Sequence, residues 1–126
     1  MSGIARTFLT LAVLFGLGGA ALGLHIVTTG DVTGRPVHIH SIAAGALIST
    51  VFALFYHLVP AAAGSRMAKV HLLLHAIAAA GILSGLFLML GAGGSVGPVA
   101  AEASLALYAA MVLVAGIALG AFYRKV

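Results

Sequence analysis

The groups in this chain that can do chemistry are six histidines, His25, His38, His40, His57, His71 and His75, and one carboxylate, Glu102. All lie in or at the edge of long apolar runs. An ionisable group in such a run is costly to place in hydrocarbon and marks function by default. His38 and His40 stand two apart, so on a helix they point about 200° away from each other and suit two centres better than one small ion. His71 and His75 stand four apart and share a face. They can bind one metal together, or one can be a ligand and the other a hydrogen-bond partner. Imidazole suits iron, copper and zinc alike, so spacing alone leaves the metal unnamed. There is no cysteine, which removes disulfides, thiolate-held zinc, iron–sulfur clusters and covalent attachment of a c-type heme.

The elements that must position these groups follow from composition. Of 126 residues, 63% are apolar and 6% charged, against roughly 25% charged in an average soluble domain. An uncharged run of about 20 residues crosses the hydrocarbon, and four such runs can be drawn between turn signals. They cover residues 4–28, 36–59, 66–90 and 98–123. The first stops at the breakers Gly30, Gly34 and Pro36. Pro36 sits in the first turn of the second, where its missing N–H does no harm, and Pro60 closes that run. With such short loops, neighbouring helices must be antiparallel. The expected fold is all-α: one membrane domain over residues 1–126, a bundle of four antiparallel transmembrane helices.

The net charge of +4 does not point to nucleic acid, because six basic residues spread along the chain make no phosphate-neutralising patch. Their distribution reads as topology. Arg6, Arg66, Lys69, Arg124 and Lys125 share one side of a four-span arrangement, while the other side has only Arg35, offset by Asp31. The positive-inside rule then places both termini in the cytoplasm of a bacterial-type inner membrane. The rival reading of the first run, a cleaved signal peptide, conflicts with its apolar length, which exceeds the usual 7 to 15 residues of a signal core. With this topology His25, His38 and His40 fall near the outer face, with Glu102 about one turn into the fourth helix on the same side. His57, His71 and His75 fall near the inner face. His40 and His57 are separated by roughly 25 Å of helix rise. Against ligation stands the ordinary role of a lone membrane histidine as an interfacial residue, which weighs most on His25 and His57. Gly19 with Gly23, Gly81 with Gly85 and Gly116 with Gly120 have the spacing that lets helices pack closely in lipid.

The stretch His38-Ile39-His40-Ser41, then Gly45, Tyr56, Leu58, Val59 and Pro60, followed by Lys69-Val70-His71, resembles the tenth helix and the start of the eleventh in the catalytic subunit of heme-copper oxidases. The likeness is closest to the cbb-type oxidases and their relatives, the nitric oxide reductases. It covers roughly residues 37 to 80. The resemblance implies that His38 ligates a high-spin heme and His40 a low-spin heme, with the pair toward the outer face. The family's copper-ligating helices have no counterpart here, and its His-Phe-Trp is His71-Leu72-Leu73. The implied protein is a short, heme-holding relative without oxygen reduction.

The expected function is that of a small b-type cytochrome binding one or two hemes b and passing electrons, with a quinol or a cytochrome as exchange partner. His25, or a second protomer, would supply the imidazole opposite His40, and His71 or His75 with His57 would hold an inner heme. Apolar surfaces all round suggest a homo-oligomer or a place in a larger membrane complex. Two other readings stand beside it. One is a non-heme copper or iron site made by His25, His38, His40 and Glu102 for metal handling or oxidase assembly. The other is an accessory subunit that only braces a respiratory complex.

Overall fold

A computed structural model of the chain describes residues 3–91 and 97–123, the side chains of 89–91 excepted. Among these residues all regular structure is helical. Helix α1 spans Gly3–Thr29 and α2 spans Arg35–Leu58. A one-turn helix α3 covers Pro60–Ala63, followed by α4, Arg66–Gly91, and α5, Pro98–Tyr123. The four long helices are each long and apolar enough to cross a bilayer, so the chain is a multi-pass membrane protein. Arg124, Lys125 and most of the turn before Pro98 lie outside the described residues.

The turns form as their residues dictate. At the end of α1, Gly30 adopts φ +72°, a left-handed conformation that glycine reaches without steric cost, and its N–H donates to Ile26 O at 2.9 Å. Asp31 then organises the loop: its carboxylate accepts from the Thr33 N–H at 2.9 Å and from the Thr33 hydroxyl. Those two bonds, the hydroxyl's first, hold its pKa below the usual carboxylate range. Beyond the far end of α2, Ser65 caps α4 by accepting from the Ala68 N–H at 3.1 Å.

Helix α2 departs from the uninterrupted α-helix expected over 36–59. Arg35–His40 and Ile48–Leu58 are α-helical, but Ser41–Leu47 is wound as a π-helix, the wider winding that recurs at functional sites. It begins at Ser41, immediately after the His38/His40 pair, where the Ser41 hydroxyl donates across to Phe15 O of α1 at 2.7 Å.

Packing relies on small residues. Ala5, Ala53, Ala68, Ala78 and Ala110 are buried, while Leu14, Leu54, Leu73 and Leu105 face outward, as expected where lipid is the solvent and close backbone approach drives association. A Cβ on Gly85 would lie 2.6 Å from Ala100 N, and one on Gly81 would lie 2.9 Å from Ala103 Cβ. This pair therefore sets the α4–α5 contact, an extensive one second to that between α1 and α2. Gly19 and Gly23 likewise press on α2, against Ile42 and the His38 ring, whereas nothing lies within 4 Å of a Cβ at Gly116 or Gly120. The largest core cluster joins Phe8 of α1 to Phe52, Ala53 and Tyr56 of α2 and Ala68 of α4.

Candidate functional site

The histidines fall into three environments. The first is the mouth of the α1–α2 seam. Half-buried His38 turns toward α1, its Nδ1–H donating to Gly19 O at 2.8 Å. Its ring lies so close to Gly23 that a Cβ there would stand 2.8 Å from Cε1. His40 is exposed, and its Nδ1–H donates to Pro36 O of its own helix at 2.8 Å. A carbonyl oxygen can only accept, so Nδ1 carries the proton in both rings and Nε2 keeps the free lone pair.

His25 is exposed at the rim of an apolar groove of about 490 Å³ between α1, α2 and α4, whose lining includes Leu22, Val37, Ser41, Leu83 and Phe87. That volume lies in the range of small-molecule and cofactor pockets. Glu102 is exposed on α5. Among the described residues no three of His, Asp and Glu gather into a metal-holding group. The non-heme set His25, His38, His40 and Glu102 is therefore not assembled within this chain.

The second environment is the interior. His71 and His75 are both fully buried, with 0% exposure. They project from α4 into an aromatic cluster whose ring centroids lie close together: Phe52 to His71 4.5 Å, Phe52 to His75 5.1 Å, Phe8 to His71 5.2 Å and Phe8 to His75 5.7 Å. One nitrogen of each ring has a partner on α2. His71 Nδ1 lies 3.0 Å from Tyr56 Oη, and His75 Nε2 lies 2.9 Å from Ser49 Oγ. The other nitrogens, His71 Nε2 and His75 Nδ1, are buried with no hydrogen-bond partner.

His57 makes the third environment alone. It is exposed near the end of α2 and shares no contact with the two interior rings, so it does not complete an inner three-histidine cluster in this chain. Ser49 and Tyr56 are the interior residues that sequence reasoning did not connect to His75 and His71. Their spacing of seven places both on one face of α2, which was the available signal. Their partners lie on a different helix and carry no sequence mark.

No protein-family profile, curated protein or solved structure matches this chain.

Proposed function

We propose that this chain is a b-type heme protein of a bacterial-type cytoplasmic membrane that carries electrons, its four spans antiparallel and both termini inside. The observation that carries the reading is the fixed tautomer at the seam. The Nδ1–H groups of His38 and His40 each donate to a backbone carbonyl. This is the outer partnership that orients metal-ligating imidazoles and raises their basicity at Nε2. The chemistry of this donor set fits heme iron, for which neutral imidazole is a standard axial ligand.

His40, on the open side of α2, would hold a low-spin heme b through Nε2. His38, directed into the α1 seam, belongs to a second centre. Because His38 rather than His40 faces α1, the imidazole opposite His40 would come from His25 of a second protomer. The heme supplies reversible one-electron chemistry at its iron. The chain's own residues hold the imidazoles in one tautomer and present an apolar wall that keeps water from the macrocycle. Exposure of His40 and of long apolar faces favours a homo-oligomer or a larger membrane complex, with a quinol or a cytochrome as exchange partner.

The test is the reduced-minus-oxidised optical spectrum and heme content of the purified protein. Wild type should show sharp b-type bands at one or two hemes per chain. His40→Ala should abolish or shift the low-spin bands, and His57→Ala should leave them unchanged. Full heme content in the double variant His38→Ala with His40→Ala would sink the assignment, and so would a colourless wild-type protein expressed with ample heme.

A further inference from the structure

The interior pair is left unused by the heme reading. His71 and His75 lie in the bundle's largest aromatic cluster, and each has one ring nitrogen buried without a partner. In a lipid-exposed bundle no bulk water reaches such an atom, and a polar group left unpaired there is strongly disfavoured. A ligand on these nitrogens would offset that cost. We propose that His71 Nε2 and His75 Nδ1 are the two ligands of a buried monovalent copper ion.

Four features support a two-coordinate site for a singly charged ion. Each ring is held from behind by a hydroxyl on α2, Tyr56 for His71 and Ser49 for His75. When the bonded nitrogen donates to that hydroxyl, the unpartnered nitrogen bears the lone pair, as an imidazole ligand requires. The two residues stand four apart on α4, so both rings come from one face. Their centroids are 6.2 Å apart. An ion about 2.0 Å from a ring nitrogen lies roughly 3.2 Å from that ring's centroid, so one ion reaches both rings only if the two nitrogens approach it from nearly opposite sides. Such near-linear coordination by two neutral nitrogens is characteristic of copper(I).

Charge points the same way. Neither carboxylate reaches the pair: Asp31 is in the α1–α2 loop and Glu102 is exposed on α5. The remaining walls include the Phe8 and Phe52 rings, which lend a cation weak stabilisation but cannot neutralise a second positive charge. Calcium and magnesium require several oxygen ligands, and a divalent transition metal would bury two charges with no counter-ion. The site needs no heme and stands or falls separately from the His38/His40 assignment.

The experiment is anaerobic copper(I) titration of the purified full chain in detergent, competed against a copper(I)-specific chelator, with X-ray absorption of the loaded protein. One tightly bound copper(I) per chain is expected, with two nitrogen neighbours and no sulfur. His71→Gln and His75→Gln should each weaken binding at least tenfold, while His57→Ala should not. The absorption spectrum uses wild-type protein, so it decides even if a glutamine variant fails to fold. Three or more nitrogen neighbours, a sulfur neighbour from methionine, no competitive copper(I) binding by wild type, or unchanged affinity in a folded His71→Gln, His75→Gln double variant would each overturn the proposal.

Discussion

Gly45→Ala tests how the histidine-bearing helix is held against α1. Gly45 lies in the π-helical segment of α2, four residues beyond Ser41. A Cβ there would fall 2.5 Å from both Cβ and Cγ of Phe15, against the ~3.5 Å at which carbon atoms pack without repulsion. The overlap is about 1 Å on two atoms close to the Phe15 backbone, where a change of rotamer gives little relief. The helices must therefore separate. Overpacking of this kind costs about 1–3 kcal/mol. The Ser41 hydroxyl bond to Phe15 O is lost or stretched as they part, which removes about 0.5–1.5 kcal/mol. Replacing glycine by alanine inside a helix returns at most about 1 kcal/mol, so a net loss of about 0.5–4.5 kcal/mol remains. Gly116→Ala is the control, because nothing lies within 4 Å of its added Cβ; it should be neutral or gain up to about 1 kcal/mol. Reversible unfolding in mixed micelles, followed by circular dichroism, measures both. A Gly45→Ala protein as stable as wild type, or one that gains as much as Gly116→Ala, would refute the close α1–α2 seam.

Tyr56→Phe and Ser49→Ala each strip from a buried imidazole its one hydrogen-bond partner among the described residues and should destabilise the protein by about 1–3 kcal/mol. In the same micelle unfolding assay Ser84→Ala, at an exposed hydroxyl that bonds only its own helix, should stay within about 0.5 kcal/mol of wild type. Asp31 is held below the usual carboxylate range by Thr33, so its ionised form favours the ordered loop. That contribution is complete above the ordinary carboxylate pKa and is lost as pH falls through the lowered one. Corrected for intrinsic exchange, the Thr33 amide should lose hydrogen-exchange protection as the solution is acidified, and Asp31→Asn should abolish that pH dependence. Because the chain has no cysteine, Thr33→Cys and Gly64→Cys can report topology. A membrane-impermeant maleimide applied to intact cells should label Thr33→Cys and spare Gly64→Cys, and the reverse pattern would invert the assignment of faces.

The sequence by itself determined the spans. Residues 98–123 are expected as a helix and Pro98–Tyr123 is one; α1 and α4 begin or end within one residue of expectation. Apolar run length and the breakers Gly30, Pro36 and Pro60 are local properties, and in lipid the backbone must satisfy its own hydrogen bonds within each span. The tautomers of His38 and His40 were decided only when the bonds to Gly19 and Pro36 formed. Depth and partnership also belonged to the tertiary structure. Helices apolar on nearly every side carry no amphipathic stripe to say which face is buried. Hence nothing in the sequence showed that His71 and His75 would enter the core while His57 faced outward, or that Gly85 would touch α5 while Gly116 stayed open. Those outcomes depend on how side-chain volumes on one helix fit the hollows of another. That fit is non-local, and it also placed Ser49 and Tyr56 beside the two buried imidazoles.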